Sequence, residues 1–328
     1  MDAWVEVVAL GGTIASTPRR DGQGVEPGLT AEDLIAAVPG LADLAPIRAR
    51  TLARLPSIEI GLPLLRDLLA LIQRLESEGA AGVVVTQGTD TIEETSFALD
   101  LLHKGRIPVV VTGAMRNPTL PGPDGPANLA AAVACAADPA CRDQGVLVAF
   151  DDTIHAATWV QKRDTTATGA FWSPSPLGWL AEGRPALRFR RPRAPALDLP
   201  AGEMPFVPIL KPGLDESPRL LEAALQAGAA GLVVELSGGG HAAASWAEAL
   251  EGAARRVPVV FASRTRGGRV LNRTYGQPGA EIDLIRRGLI PAGDLDALKA
   301  RLLLAFLILA GQTDRFADRS LLSWRTSA

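Results

Sequence analysis

Short runs of apolar residues alternate with longer helical stretches along the first half of the chain. Valine-rich runs bounded by glycine, proline or polar residues predict buried strands, because continuous apolar runs of this length are typical of strands covered on both faces. These strands are expected at 4–10, 82–86, 107–114 and 145–150. Between them the pattern predicts helices at 30–38, 60–78, 91–104 and 126–137. This order of strands and helices predicts a parallel sheet with helices on both sides.

The pattern is interrupted by a segment rich in proline and arginine, and it then resumes. We interpret residues 186–206 as a linker between two domains, although part of the segment could pair as an edge strand. The remaining chain predicts strands at 206–210, 231–236 and 257–263, and helices at 216–227, 242–254, 281–288 and 293–311. The predicted fold class is therefore α/β. A parallel-sheet N-terminal domain with flavodoxin- or Rossmann-like layers, at 1–185, precedes a smaller α/β C-terminal domain, at 207–328.

The composition narrows the range of partners. Hydrophobic residues make up 47% of the 328 residues, which is ample for a large core. The formal net charge of −3 argues against a nucleic-acid binder, which would carry a basic excess. A membrane span is not expected, because no charge-free apolar run of about 18 residues occurs. The N-terminus MDAWVEVVAL has no basic segment or cleavage site, which favours a first strand over a signal peptide and predicts a cytoplasmic protein.

Cysteine and histidine form no recognisable metal or redox motif. Cys135 and Cys141 lack the spacing of a zinc site or a redox pair, so we expect ordinary thiols in or near the core. The three histidines are far apart, and no metalloprotease, phosphate-loop or serine-hydrolase motif occurs. The sequence therefore gives little support to a metal site or a serine–histidine hydrolase.

Polar and charged residues follow the predicted strands at their carboxyl ends, where open parallel sheets bind ligands. They are Gly12 and Thr13 after the first strand, Gly88, Thr89 and Asp90 after the second, and Lys162 beyond the fourth. A threonine hydroxyl becomes a nucleophile when a base takes its proton, and a lysine can be that base only if its pKa is lowered. Glycines expose N–H donors to a developing oxyanion. Together these residues indicate acyl transfer.

Each of these residues also has a purely structural interpretation. In DTIEET, Asp90 or Thr91 can cap the following helix, with Glu93 or Glu94 closing a capping box. The Gly-Gly-Thr sequence could form a simple tight turn or half of a phosphate loop, and Lys162 alone could be a solvated surface lysine. The residues by themselves leave both interpretations open.

Several motifs resemble those of the bacterial-type L-asparaginases. LGGTIAS (10–16) and TQGTDTIEET (86–95) resemble the two threonine motifs of that family. VTGAMR (111–116), DGPANL (124–129) and the stretch 145–171 resemble further family segments, so that the resemblance covers roughly residues 5–310. It implies an amidohydrolase that converts L-asparagine to L-aspartate and ammonia through a threonine nucleophile and an acyl-enzyme. It implies no metal or organic cofactor.

The resemblance also implies roles for the residues at the strand ends. Thr13 matches the nucleophile that attacks the side-chain amide. Thr89, Asp90 and Lys162 match a second triad that supports proton transfer and activates water. The positions implied to contact substrate are Gly12, Ser57, Ile58, Gly88, Thr89, Asp90, Ala114 and Glu281.

The implied contacts suit a zwitterionic amino acid that carries a side-chain amide. Ser57 would hold the α-carboxylate, Asp90 would bind the α-ammonium group, and the backbone of Ala114 would contact the amide. Glu281 would reach the ammonium group from a neighbouring subunit, which implies a homodimer or a homotetramer.

The chain departs from the family pattern in the loop that follows Thr13. Family members carry a tyrosine on this mobile lid, but residues 17–30 contain none, and the sole tyrosine of the chain is Tyr275. Glu26 or Arg20 could activate Thr13 instead, or Tyr275 could reach the site across a subunit interface. Slow turnover is the third explanation.

Further departures leave the substrate open. Ile58 stands where many members have a substrate-contacting glutamine, and Gly239 stands where a side-chain amide is common. Glutamine, D-asparagine or a β-aspartyl amide are therefore alternative substrates, and a catalytically impaired amino-acid-binding homologue is an alternative function. A subunit that acts on misacylated tRNA shares the core but needs a further N-terminal domain, which we do not expect here.

Overall fold

The computed structural model describes residues 3–19, 21, 24–193, 195–198 and 201–317 of the chain. The chain divides into two compact units, between Leu197 and Asp198. This division falls inside the segment 186–206, which the sequence predicts to be a linker. The first residues of that segment belong to an edge strand, which is the alternative that the sequence left open.

The first unit contains an eight-stranded sheet and two short hairpins. Its strands are β1 (Val5–Gly11), β2 (Ser16–Pro18), β3 (Val25–Pro27), β4 (Ile47–Leu55), β5 (Gly82–Thr86), β6 (Val109–Thr112), β7 (Val146–Phe150), β8 (Thr153–Ala156), β9 (Gln161–Lys162), β10 (Phe171–Trp172), β11 (Gly178–Ala181) and β12 (Arg184–Leu187). The sheet order is β12-β11-β8-β7-β6-β5-β1-β4, while β2 pairs with β3 and β9 pairs with β10.

The part of the sheet from β4 to β7 is parallel, and the part from β7 to β12 is antiparallel. The predicted parallel sheet is therefore confirmed, with an antiparallel extension that the sequence did not predict. Because the carboxyl ends of parallel strands lie at one edge, this edge collects the loops after β1, β5, β6 and β7.

Helices cover both faces of the sheet, as predicted. The helices of the first unit are α1 (Ala31–Ala36), α2 (Leu41–Leu44), α3 (Leu62–Ser77), α4 (Ile92–Leu102) and α5 (Gly125–Ala137). Alternate residues of β5 face opposite ways: Val84 packs in a core with α5, and Val83 and Val85 pack in a core with α3 and α4. Cys135 and Cys141 are free thiols buried in the α5 core, in agreement with the sequence prediction.

The second unit is a smaller α/β layer with a four-stranded parallel sheet. Its strands are β13 (Ile209–Leu210), β14 (Leu232–Leu236), β15 (Val259–Ser263) and β16 (Ile290–Pro291), and its helices are α6 (Arg219–Gln226), α7 (Ala244–Ala254), α8 (Glu281–Arg286) and α9 (Ala297–Leu309). Its core packs Trp246 and Leu250 of α7 against Val234 and Phe261 of the sheet. The predicted two-part α/β organisation is confirmed.

Candidate active site

The two threonine motifs meet at the carboxyl edge of the large sheet. β1 and β5 are neighbouring parallel strands, so the loops that follow them start side by side. A Cβ on Gly12 would lie 1.9 Å from the backbone nitrogen of Gly88, and Gly12 has a φ of +83°. Glycine is therefore required at this contact. Because Thr13 and Thr89 directly follow the two glycines, the contact brings both threonines to one place.

Three of the predicted catalytic residues form a hydrogen-bonded cluster. Lys162 Nζ donates to Thr89 Oγ1 at 2.9 Å and to Asp90 Oδ1 at 2.6 Å. The side chain of Lys162 is 17% exposed, whereas that of Asp90 is 73% exposed. The lysine charge is thus largely buried beside Thr89, while the carboxylate that balances it faces solvent. Since Thr89 Oγ1 accepts from the lysine, its own proton is free to be donated elsewhere.

The strand that carries Lys162 is fixed by a neighbouring helix. Glu93, a buried residue in the first turn of α4, accepts a hydrogen bond from the backbone nitrogen of Lys162 at 3.2 Å. At the next position of the β9–β10 hairpin, the backbone nitrogen of Arg163 donates a hydrogen bond to the carbonyl oxygen of Ala170. Glu93 was predicted only as a possible capping residue, so the sequence did not reveal this link between α4 and the lysine.

Thr13 is held more loosely than Thr89. It begins a short 3₁₀ turn, Thr13–Ala15, and it is half-buried. Ser16 Oγ donates to Gly12 O and fixes the backbone beside it. Within the described part of the chain, the Thr13 hydroxyl makes no hydrogen bond. The partner that activates this hydroxyl is therefore not among the contacts of the described residues.

The lid hairpin β2–β3 does not supply that partner through its described residues. Glu26 lies opposite Thr17 in the hairpin, and its carboxylate pairs with Arg19 at 3.3 Å. Both side chains of this pair are about half exposed. Arg20, the other candidate on the lid, lies outside the described residues.

Ser57 joins the site from the edge strand β4. It begins the short 3₁₀ turn Ser57–Glu59, and it is only 4% exposed. A Cβ on Gly88 would lie 2.9 Å from Ser57 Oγ, so the serine packs directly on the second threonine loop. The next residue, Ile58, is 73% exposed and faces solvent at the rim of this turn.

Ala114 lies in the loop after β6, directly after Gly113, which packs against the second threonine. A Cβ on the preceding Gly113 would lie 3.3 Å from Thr89 Cγ2. Asp124 accepts from the backbone nitrogens of Met115 and Arg116, and Asn128 Nδ2 donates to Gly113 O at 3.0 Å. The backbone on both sides of Ala114 is thus tied to α5. Asp124 and Asn128 are the polar residues of DGPANL, a motif to which sequence reasoning gave no role.

Comparison with known proteins matches both units of the chain. A family model described as Asparaginase, N-terminal, matches residues 4–193, and one described as Glutaminase/Asparaginase C-terminal domain matches residues 207–318. The chain belongs to the asparaginase family. It is an asparaginase-type amidohydrolase with a small-molecule substrate, and the resemblance found in the sequence is confirmed.

Individual relatives cover most of the chain. The L-asparaginase 2 of Bacillus subtilis is 34% identical over 92% of this chain and 81% of its own length. A probable L-asparaginase of Deinococcus radiodurans is 36% identical over 93% of this chain and 92% of its own. The crystal structure of a probable cytoplasmic L-asparaginase from Campylobacter jejuni aligns with a TM-score of 0.84, at 30% identity, over 96% of this chain and 99% of that one.

Glu281, the acid expected from a neighbouring asparaginase subunit, lies in the second unit. Its carboxylate is fully buried and accepts from the backbone nitrogens of Thr274 and Tyr275 and from His241 Nε2. Burial alone would raise the pKa of Glu281, but these hydrogen bonds outweigh it and hold the pKa below its ordinary value. Glu281 is therefore an anion whose described contacts all lie within its own unit. Its role at an active site stays a prediction.

Tyr275 is one of the candidates to replace the tyrosine that is absent from the loop after Thr13. It also lies in the second unit. Its ring packs edge-on against His241, with the ring centroids 5.0 Å apart, and the side chain is 44% exposed. The reach of Tyr275 to the site across a subunit interface stays a prediction.

The described residues show neither a metal-binding cluster nor a membrane-spanning helix. Among the described residues, no cluster of three His, Cys, Asp or Glu side chains has the arrangement of a metal site. None of the described helices has the length and apolar character needed to cross a bilayer. The cytoplasmic location stays a prediction.

Proposed function

We propose that the protein hydrolyses L-asparagine to L-aspartate and ammonia through an acyl-enzyme on Thr13. The observation that carries the proposal is the Thr89–Asp90–Lys162 cluster, joined to Thr13 by the contact between Gly12 and Gly88. A nucleophilic hydroxyl, a proton path and backbone N–H groups at one sheet edge are the components that amide hydrolysis requires.

The charges of the proposed pocket complement those of an amino acid. Asp90 is exposed and anionic, and it binds the α-ammonium group of the substrate. Ser57 and nearby backbone N–H groups bind the α-carboxylate. The Ala114 backbone follows Gly113, which packs against Thr89, and it contacts the side-chain amide of the substrate.

In the first step, Thr13 Oγ1 bonds to the amide carbon, the C–N bond breaks, and the threonine proton is transferred so that ammonia departs. Lys162 and Thr89 provide the proton path, because Lys162 donates to a hydroxyl whose own proton remains available. In the second step, water adds to the ester carbon, the bond to Thr13 breaks, and aspartate leaves as Thr13 regains its proton.

Ammonia release from purified protein and L-asparagine tests the proposal. The wild type is expected to release ammonia, Thr13→Ala to release none, and Thr13→Ser to retain part of the activity because it keeps a hydroxyl. Equal turnover by Thr13→Ala and the wild type would contradict the assignment of the nucleophile. No release from L-asparagine by the wild type would overturn the proposed function.

A related amidase activity is the second candidate, and the exposed Ile58 favours it. An isoleucine at the rim offers no hydrogen bond to the substrate α-groups, which weakens discrimination among amino-acid amides. Values of kcat/KM for L-asparagine, L-glutamine, D-asparagine and a β-aspartyl amide distinguish the candidates. A value at least about tenfold higher for any substrate other than L-asparagine would replace the leading proposal.

We propose a homodimer or a homotetramer in which Glu281 acts on the site of a neighbouring subunit. Mixing Thr13→Ala with Glu281→Gln protein, after subunit exchange, tests it. Each mixed dimer would hold one intact site, so activity should return to about a quarter of the wild-type value. Two inactive variants that stay inactive when mixed, with exchange shown by native mass spectrometry, would contradict it.

A further inference from the structure

Thr91 occupies the N-cap position of α4 without capping it. No side-chain capping hydrogen bond forms at this helix start, so the capping box that DTIEET predicts is absent. The hydroxyl instead donates to the carbonyl oxygen of Ser57 at 2.9 Å, across 34 residues of sequence. A threonine at a helix start usually satisfies the N–H groups of its own helix. Here the hydroxyl stabilises a different loop.

Gln87 completes the connection from the other side. It is fully buried, and its Nε2 donates to Thr91 Oγ1 at 3.3 Å and to Gly88 O at 3.2 Å. Because the hydroxyl accepts from Gln87, its single proton is directed to Ser57. The amide oxygen of Gln87 has no partner among the described residues, which is a costly state for a buried group. The contribution of the Gln87 side chain is therefore its two donated hydrogen bonds, to Thr91 and to Gly88.

The carbonyl that Thr91 binds belongs to the turn that presents the Ser57 hydroxyl. Ile60 N also donates to Ser57 O, at 3.1 Å, so that this oxygen has both its acceptor positions filled. On the same residue, Ser57 Oγ packs on Gly88 beside the second threonine loop. The orientation of the Ser57 peptide therefore sets where the hydroxyl lies relative to Gly88 and Thr89.

We propose that Thr91 is a positioning residue that fixes Ser57 for the α-carboxylate of the substrate, an inference that rests on the proposed function. Thr91 transmits its effect through Ser57 and does not touch the reacting atoms. Losing its hydroxyl lets the Ser57 turn move away from Gly88. Substrate and product binding weaken, while the chemical step at Thr13 is little changed.

Thr91→Val, which keeps the shape and removes the hydroxyl, tests the inference. We expect KM for L-asparagine and Kd for L-aspartate, measured by calorimetry, to rise about 5–10-fold, with kcat changed less than about twofold. Thr91→Ser restores the hydroxyl and should return both constants to within about twofold of the wild type. The matched control is Thr95→Val, one turn further along α4, whose hydroxyl makes no hydrogen bond among the described residues.

A double-mutant cycle separates positioning from general damage to α4. On a Ser57→Ala background, Thr91→Val should add little to KM, because the hydroxyl that it positions is already gone. Wild-type constants for Thr91→Val, an unrescued Thr91→Ser, or fully additive effects with Ser57→Ala would each overturn the inference. In those cases wild-type ammonia release leaves the proposed function intact. A wild type that neither releases ammonia nor binds aspartate would overturn both.

Discussion

The two threonine motifs differ in how firmly the structure holds them. Thr89 is 6% exposed and accepts a hydrogen bond from Lys162, whose strand is tied to α4. Thr13 is half-buried, lies next to the lid hairpin, and makes no side-chain hydrogen bond among the described residues. The motif of Thr89 is already organised without substrate. The motif of Thr13 is connected to it only through the contact between Gly12 and Gly88, among the described contacts. Under the proposed function, the proton path would already be built into the fold, and the attacking hydroxyl would be aligned when substrate binds.

The largest effect on activity is expected when the cluster of Thr89, Asp90 and Lys162 loses the positive charge of its lysine. Lys162→Met keeps the length of the side chain and removes the hydrogen bonds of the ammonium group to Thr89 and Asp90. We expect kcat for ammonia release to fall on the order of 10³-fold. Arg163→Met, at the neighbouring position of the hairpin, is the matched control and should stay within about threefold of the wild type. A Lys162→Met enzyme with near wild-type kcat would show that the cluster is structural.

The contact between the motifs gives the second prediction. Gly12→Ala places a Cβ 1.9 Å from Gly88 N at a φ of +83°. We expect the free energy of unfolding, measured with urea, to fall by about 3 kcal/mol or more, with loss of activity.

Gly24→Ala is the control for backbone strain alone. Gly24 has a similar φ of +82°, but no atom of the described residues lies within 4 Å of its Cβ position. The expected cost is about 1 kcal/mol. Equal effects of the two substitutions would mean that the glycine contact does not join the motifs.

Low pH should loosen the hairpin that carries Lys162. His155 in β8 lies 2.7 Å from Ser173 Oγ, which follows β10, and burial lowers the pKa of His155 from 6.5 to about 4. Between pH 4 and pH 6.5 the unfolded chain therefore binds more protons at His155 than the folded protein does. The contribution of the neutral His155 to the free energy of unfolding is complete above pH 6.5, and it is lost as the pH falls towards 4. The expected loss is on the order of 3 kcal/mol.

Urea unfolding across this pH range measures the loss. His155→Leu should flatten the dependence of the unfolding free energy on pH. A residual slope is expected from His103, because burial and the nearby Arg193 also lower its pKa. If the unfolding free energy of His155→Leu depends on pH as steeply as that of the wild type, this histidine does not cause the pH dependence.

The smallest predicted effect concerns the rim of the site. Ile58→Gln adds hydrogen-bonding groups beside Ser57 at a position that is 73% exposed. We expect KM for L-asparagine to fall by about two- to fivefold without a change in stability. An increase in KM, measured by steady-state ammonia release, would show that the isoleucine itself favours this substrate.

The strands that form the site were predictable because they are buried on both faces. β5, β6 and β7 are almost entirely apolar, and Glu6 alone interrupts the apolar run of β1. The residues of the candidate site follow β1, β5 and β6. Strand β4 was not predicted, because Arg48, Arg50 and Arg54 interrupt its apolar positions. As an edge strand it pairs only with β1, and its arginines remain exposed.

Within the candidate site, the residues that carry the reactive groups were easier to predict than the residues that hold them in place. Thr89, Asp90 and Lys162 carry the groups that acyl transfer needs, and their strand ends converge by topology. The bond from Thr91 to Ser57 joins residues that are far apart in sequence, and local pattern favoured a helix cap for Thr91 instead. Glu93 was likewise assigned to the cap, although its carboxylate holds the Lys162 backbone. Local rules assign such polar groups to their own helix, and only the packed fold shows another use.

Trapping the acyl-enzyme tests the division of labour between the two motifs most directly. Thr89→Val should slow both steps, and the water step more than the attack, so that the aspartyl ester accumulates. Mixing with L-asparagine, rapid acid quenching and peptide mapping then locate it. We predict an aspartyl adduct on the peptide that contains Thr13. An adduct on the Thr89 peptide of the wild type, with none on Thr13 in either protein, would contradict the account.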